Sequence, residues 1–294
     1  MSKPKKWALV LSGGGAKGFA HMGILKGLDE AGFPKPSLIA GTSMGAIIGG
    51  VYACGMSAAE MIDFVCNEFK FSDYLESFTF KMGGLAGKVF QTGQTLANLA
   101  TRPGLDRGQK VLGLLERLTK GKQFDETEIP FRCNAVDLLS GKEVVFKSGS
   151  VAKAIRASMS FPLFFEPVEE DGMYLVDGGV LNNVPAAAVR EEGLKNVLAV
   201  NVSPFAARER KDFNNGPQIV FRCFDSVIRA LDTEKNIDVD FTINITNDIS
   251  SFSFSRREEL IELGERAVKE NMEALKNFFG RRFSFFRKPV VCNI

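Results

Sequence analysis

The stretch Leu38-Ile39-Ala40-Gly41-Thr42-Ser43-Met44-Gly45-Ala46 decides the fold of this chain. Its first three residues are apolar and predict a short buried strand, and the residues after Gly45 predict a helix that is apolar on nearly every side. A strand that turns at once into a helix needs a tight corner, and the glycines at positions 41 and 45 remove Cβ atoms that would collide there. Ser43 at this corner is expected to point outward at a helix N-terminus, where free N–H groups favour negative charge.

The pattern Gly41-x-Ser43-x-Gly45 is that of a nucleophile elbow, and it occurs once in the sequence. A serine held in this way is suited to nucleophilic catalysis. The alternative is a glycine-rich turn with an incidental serine, because short motifs also arise by chance. The remaining motifs of the chain favour the catalytic interpretation.

A second glycine-rich segment follows the apolar run from Trp7 to Leu11, which predicts a first buried strand in a parallel sheet. The segment is Ser12-Gly13-Gly14-Gly15-Ala16-Lys17-Gly18, and a helix is predicted after it from Phe19 to Ala31. A loop between a strand and a helix directs backbone N–H groups at a shared point. Such a loop binds anionic oxygens.

The glycine spacing also matches a dinucleotide-binding fingerprint, but the next strand ends at Ala40-Gly41 without the acid that would hold a ribose. A Walker motif is excluded because Phe19 stands where lysine is needed. We therefore expect an oxyanion hole, made by the N–H groups of Gly14 and Gly15 with Gly13 beside them. One such donor stabilises a transition state by about 3 kcal/mol.

Lys17 in the same loop has two interpretations. It either steadies the loop and attracts an anionic head group, or it is a solvated surface lysine.

Ser43 needs a group that accepts its proton. His21 is the single histidine and precedes the serine, whereas the histidine of an α/β-hydrolase triad follows it. His21 is therefore expected to pack within its helix. The alternative acceptor is Asp177, which follows the predicted strand Tyr174-Leu175-Val176, because open α/β sheets bind ligands at the ends of strands. Partial burial would raise the pKa of Asp177 and make it a better base.

Composition limits the classes to which the chain can belong. Its 294 residues are 45% hydrophobic, which supports a full core, and strands alternate with helices as in an α/β protein with a mostly parallel sheet. A formal charge of +2 argues against a nucleic-acid partner. Five scattered cysteines predict buried thiols of a reducing compartment, and no apolar run is long enough for a signal peptide or a bilayer span. We expect a cytoplasmic location.

Two segments are rich in aromatic residues. Residues 69–125 mix phenylalanine with glycine, which predicts a mobile flap, a lid or an acyl-chain wall, unless these side chains simply fill the core. A last long helix is predicted from Arg257 to Phe279. Residues 281–294 follow it and combine phenylalanine with arginine and lysine, which suits peripheral contact with a membrane, unless this tail packs on the domain.

Three ordered motifs resemble those of the patatin-like phospholipase family. They are Gly13-Gly14-Gly15-Ala16-Lys17-Gly18, Gly41-Thr42-Ser43-Met44-Gly45 and Asp177-Gly178-Gly179. The flanking patterns Ala157-Ser158-x-x-x-Pro162-x-x-Phe165-x-Pro167-Val168 and Asn182-x-x-Pro185 are also similar. The resemblance covers about Trp7 to Val202. It departs from the family pattern at Lys17, where arginine is common.

The resemblance implies a bacterial member with one catalytic domain over residues 1–294 and a three-layer α/β/α sandwich around a mostly parallel sheet. It implies that Ser43 is the nucleophile and Asp177 the base, without a histidine, a metal or a cofactor. Gly41, Gly45, Gly178 and Gly179 would support these two residues. The implied reaction is calcium-independent hydrolysis of phospholipid or lysophospholipid esters. An acyltransferase with the same nucleophile and a catalytically silent lipid-binding protein are the alternatives.

Overall fold

The computed structural model describes residues 6–74, 103–210, 213, 216–234, 239–280 and 289–294. Its strands are β1 (Ala8–Leu11), β2 (Leu38–Gly41), β3 (Gly104–Asp106), β4 (Phe131–Asp137), β5 (Lys142–Phe146), β6 (Leu163–Phe165), β7 (Val168–Glu170), β8 (Met173–Asp177), β9 (Val197–Asn201), β10 (Phe241–Asn244) and β11 (Val290–Asn293). Its α-helices are α1 (Phe19–Glu30), α2 (Met44–Ala53), α3 (Ala58–Asp63), α4 (Gln109–Leu118), α5 (Val151–Ser158), α6 (Ala186–Arg190), α7 (Gly216–Glu234), α8 (Arg257–Glu270) and α9 (Met272–Gly280).

Nine of these strands form one sheet in the order β11-β10-β9-β1-β2-β4-β8-β7, with β5 also paired to β4. From β11 to β4 every neighbouring pair is parallel, whereas β8, β7 and β5 join in antiparallel pairs. Strands β3 and β6 form a separate parallel pair. The predicted α/β class with a mostly parallel central sheet is confirmed.

The sheet lies between two apolar layers, because successive strand residues point to opposite faces. Leu9, Leu11 and Ile39 face a core shared with α1, α2 and α8. Ala8 and Val10 face a smaller core closed by α6. This is the predicted three-layer α/β/α arrangement.

The chain interrupts the long C-terminal helix at Asn271, so the prediction of one helix from Arg257 to Phe279 is wrong. Asn271 has φ −102° and ψ 15°, outside the helical region. Its side-chain amide donates to the carbonyl of Ala267 at 2.9 Å, and such a local bond competes with regular helix. Phe278 after the break is buried and packs edge-on against Trp7.

The two aromatic segments are described only in part. Residues 75–102 of the predicted flap lie outside the described residues. Residues 103–125 contain β3 and α4, and the buried side chains of α4 face the core. Residues 281–288 of the predicted membrane-contacting tail also lie outside the described residues. The tail then forms β11, which pairs with β10 at the edge of the sheet.

The expectation that all cysteine thiols are buried is wrong. All five are free, but they are not all buried: Cys54 and Cys133 are, whereas Cys223 is exposed on α7. Within the described parts of the chain, no helix combines the length and apolar character needed to cross a membrane.

Candidate active site

Ser43 occupies a strained corner between β2 and α2. Its φ of 53° and ψ of −119° are costly for a residue with a Cβ atom, and such strain persists only where neighbours hold it. The N–H of Thr42 donates to the carbonyl of Leu11 at 3.1 Å, and the N–H of Gly45 donates to the carbonyl of Thr42 at 2.8 Å. These bonds fix the corner from both sides.

The glycines of the elbow are required by backbone packing. A Cβ on Gly41 would collide with the carbonyl of Gly45, and a Cβ on Gly45 would collide with the carbonyl of Leu11. Helix α2 therefore starts in direct contact with the strands. Only glycine allows this approach.

Strand β4 brings Asp177 to the Ser43 corner. The first half of β4 pairs with β2, with Gly41 opposite Cys133, and its second half pairs with β8, with Asp177 opposite Ala135. Because β5 takes one edge of β4 at both Cys133 and Ala135, β2 and β8 must share the other edge, one after the other. They run in opposite directions, so their carboxyl ends face each other. Ser43 and Asp177 stand at this junction.

The rule for parallel strand ends, from which the position of Asp177 was expected, is wrong for β8. Strand β8 is antiparallel to β4, so the rule for the ends of parallel strands does not apply to it. Asp177 reaches this edge because β4 extends beyond the end of β2. The position of Asp177 next to Ser43 therefore depends on the length of β4, which pairs with both β2 and β8, and not on a parallel direction of β8.

Asp177 is 2% exposed, and burial raises its pKa to about 6. The Ser43 side chain and the N–H of Gly179 partly oppose this rise. The Gly179 N–H donates to Oδ1 at 2.7 Å, whereas Oδ2 has no hydrogen-bond partner among the described residues. The Ser43 hydroxyl thus lowers the pKa of the carboxyl group, but it donates no hydrogen bond to Oδ2.

The glycine loop borders the same point. A Cβ on Gly13 would lie 3.2 Å from the Cβ of Ser43. The Gly13 N–H donates to the carbonyl of Asn183 at 3.3 Å and is not free for a ligand. In the described part of the chain, the N–H groups of Gly14 and Gly15 donate no hydrogen bond. These two are the available donors, and the φ of +56° at Gly15 favours glycine there.

Ser158 at the end of α5 and Ser160 just after it hold the backbone at Ser43 and at Asp177, a role that no sequence motif predicted. Ser158 Oγ accepts the N–H of Ser43 at 3.0 Å, and the carbonyl of Ser160 accepts the N–H of Asp177 at 3.0 Å. The buried Arg156 side chain holds Ser160 Oγ and the carbonyl of Arg107. The only sequence signal was the family-like pattern around Ser158, which gave no role to either serine.

Buried side chains also tie the elbow to the segment after Asp177. Thr42 Oγ1 donates to Asn134 Oδ1 at 2.7 Å, and Asn134 Nδ2 donates to the carbonyl of Asn182 at 2.9 Å. A Cβ on Gly178 would strike the backbone and side chain of Asn134, and one on Gly179 would lie 3.0 Å from Asp177 Oδ1. The two glycines thus permit tight packing around the carboxylate.

His21 is fully buried on α1 and does not line the cavity at Ser43. Its Nε2 donates to the carbonyl of Ser12 at 2.9 Å, and burial lowers its pKa to about 4. This is the position of a packing residue.

A cavity of about 960 Å³ contains Ser43, Asp177 and the three loop glycines. Most of its wall is apolar, contributed by α2, α3, α4 and several phenylalanines. Such a wall fits a hydrocarbon chain, and the polar groups at Ser43 fit its ester.

A family model for patatin-like phospholipase matches residues 9–190. This chain belongs to the patatin-like phospholipase family. It is 30% identical over 229 residues to the uncharacterized NTE family protein Rv1063c of Mycobacterium tuberculosis. The aligned region covers 78% of this chain and 57% of that protein. It is 32% identical over 197 residues to patatin-like phospholipase domain-containing protein 6 of Homo sapiens, which covers 66% of this chain and 13% of that protein.

The chain is also 29% identical over 194 residues to lysophospholipase NTE1 of Kluyveromyces lactis, covering 66% of this chain and 12% of that protein. It therefore spans little more than half of the mycobacterial relative and a small part of the other two. Among solved structures, VipD from Legionella pneumophila aligns over 93% of this chain and 67% of its own, with a TM-score of 0.47 and 17% identity.

Proposed function

We propose that this chain is a serine acyl hydrolase that cleaves an ester bond of a phospholipid or lysophospholipid through Ser43 and Asp177. The observation that carries the proposal is the junction on β4, where the strained Ser43 and the buried Asp177 follow strand ends that face each other. The N–H groups of Gly14 and Gly15, which donate no hydrogen bond to any described residue, line the same cavity. Family membership and the relative named lysophospholipase support the lipid substrate.

The chemistry follows from the positions of these groups. Asp177 accepts the proton of the Ser43 hydroxyl as Oγ attacks the ester carbonyl. The N–H groups of Gly14 and Gly15 stabilise the oxyanion of the tetrahedral intermediate. When the intermediate collapses, Asp177 returns the proton to the leaving alcohol and an acyl-Ser43 ester remains. Water, deprotonated by Asp177, then releases the fatty acid and restores the serine.

The raised pKa of Asp177 suits this role. An ordinary aspartate is a weak base for an alcohol, and a pKa of about 6 brings its basicity closer to what is needed near neutral pH. The carboxylate is the reactive form, so activity rises with pH through this value.

The test is hydrolysis of a lipid panel by the wild type and by Ser43→Ala, with fluorophosphonate labelling of both. We expect fatty acid release from phospholipid or lysophospholipid and labelling in the wild type alone. Hydrolysis that persists in Ser43→Ala contradicts the proposal. Labelling without hydrolysis, together with acyl transfer to an acyl-carrier thioester, would favour an acyltransferase. If the wild type shows neither hydrolysis nor acyl transfer, a lipid-binding protein is favoured.

A further inference from the structure

The cavity has two chemically different ends, with Ser43 between them. Its apolar end is formed by α3 and α4, and α4 packs against α5 beside β4. Its polar end lies at the carboxyl ends of β9 and β10, on the other side of β1 in the sheet. The polar end is lined by Lys17, Asn201, Ser203, Arg208, Arg222, Asp225 and Asn244, so that three cationic side chains face one carboxylate, which lies 3.9 Å from Arg222.

Lys17 is the unusual residue at the polar end. Its side chain lines the cavity although only 8% of the residue is exposed. Among the described residues, no carboxylate lies within ion-pair distance of its ammonium group and no acceptor receives its protons. Burying an unpaired ammonium costs free energy unless an anion joins it.

The charges around Lys17 also favour an anion. Its pKa is lowered, first by burial and then by the positive charge of Arg208. Asp225 and Asp248 act in the opposite direction, but neither forms an ion pair with Lys17 within the described part of the chain. Arg222 is already engaged, since it donates to the carbonyl of Ala206 at 2.7 Å and stacks on Phe205. Lys17 and Arg208 therefore form a pair of like charges that an anionic oxygen group would stabilise.

We propose that Lys17 and Arg208 bind the phosphate of the substrate's head group, so that the cavity selects monoacyl phospholipids over neutral monoacyl lipids. The inference rests on the function proposed above, because it takes the ester to lie at Ser43. The loop of Lys17 follows β1, one strand spacing of about 4.8 Å from β2. Ser43 and Lys17 line the same cavity, so an ester at Ser43 with its acyl chain at the apolar end directs the phosphate of the head group toward the polar end.

The first test compares kcat/KM for lysophosphatidylglycerol with kcat/KM for monoacylglycerol of the same acyl chain. We expect Lys17→Met to lower this ratio about 10- to 100-fold, the effect of losing a hydrogen bond to a charged group. Lys17→Arg, which keeps the charge, should retain the selectivity. Lys147→Met, a change at an exposed lysine away from the cavity, is the matched control. An equal loss on both substrates would overturn the proposal, because it would show that Lys17 only supports the glycine loop.

The second test measures binding without turnover, by calorimetry in a Ser43→Ala background. Glycerophosphoglycerol should bind more tightly than inorganic phosphate and should lose most of its affinity when Lys17→Met is added. Inorganic phosphate binding as tightly would overturn the proposal in favour of a free-phosphate site, and so would affinity unaffected by Lys17→Met. If the wild type hydrolyses no ester, the hydrolase proposal fails, and Lys17-dependent binding still decides the head-group site.

Discussion

Ser43 and Asp177 both lie at the carboxyl end of a strand and both have glycine close by, but the chain holds the two residues differently. Ser43 has a strained backbone with a φ of 53° and remains partly exposed to the cavity. Asp177 has an unstrained φ of −48° and is almost fully buried. Strain thus directs the hydroxyl into the cavity, whereas burial sets the pKa of the carboxyl group. Substitutions can separate these two contributions.

The largest effect is expected from Asp177→Asn. It keeps the size of the side chain and an oxygen for the Gly179 N–H, but it removes the base. We expect kcat/KM for ester hydrolysis to fall about 10²- to 10⁴-fold. Asp171→Asn, in the exposed turn before β8, should leave the rate unchanged. A loss of less than threefold in Asp177→Asn, about 0.6 kcal/mol, would remove Asp177 from the mechanism.

Gly45→Ala tests the strained corner. The new Cβ would strike the carbonyls of Leu11 and Ser12, which are parts of a rigid backbone. We expect the free energy of unfolding to drop by about 3 kcal/mol, measured by urea denaturation. Gly113→Ala on α4 is the control, because its Cβ meets nothing within 4 Å and should stabilise that helix by about 0.5 to 1 kcal/mol. An equal change in the free energy of unfolding for the two variants would contradict the conclusion that backbone packing requires glycine at the elbow.

The pH dependence of stability tests the buried carboxyl group. Its pKa is about 6 in the folded chain and ordinarily 3.8, so the unfolded chain loses this proton first as pH rises. The contribution of Asp177 to the free energy of unfolding therefore falls by about 3 kcal/mol between about pH 4 and pH 6. It stays at this lower value at higher pH. Asp177→Asn should be more stable than the wild type at about pH 8, and this advantage should shrink toward about pH 4. A difference that does not change with pH would show that the pKa is unperturbed.

The smallest effect is expected from Ser158→Ala, which leaves the Ser43 N–H without its acceptor. We expect a loss of about 1 to 2 kcal/mol in unfolding free energy and a lower kcat with little change in KM. Ser148→Ala at an exposed position is the matched control. Unchanged kcat in Ser158→Ala would mean that other bonds suffice to hold the corner.

The sequence predicted the parts of this arrangement that are encoded locally. The Gly41 and Gly45 spacing, the glycine loop and the alternation of strands and helices each depend on neighbouring residues. The contacts across the fold could not be predicted in the same way. Ser158 and Ser160 act through single hydrogen bonds to distant residues, and the antiparallel direction of β8 depends on pairing with β4 rather than on its own residues. The break at Asn271 depends on one side-chain bond that an apolar periodicity does not show.

The rate of fluorophosphonate labelling of Ser43 against pH tests most directly whether Asp177 is the base. A single ionisation near pH 6 is predicted for the wild type, in agreement with the pKa of about 6 for Asp177. His21→Gln should keep that midpoint, because the pKa of His21 is about 4 and its ring bonds to Ser12. A wild-type midpoint that disappears in His21→Gln, or Asp177→Asn labelled at the wild-type rate, would contradict the account.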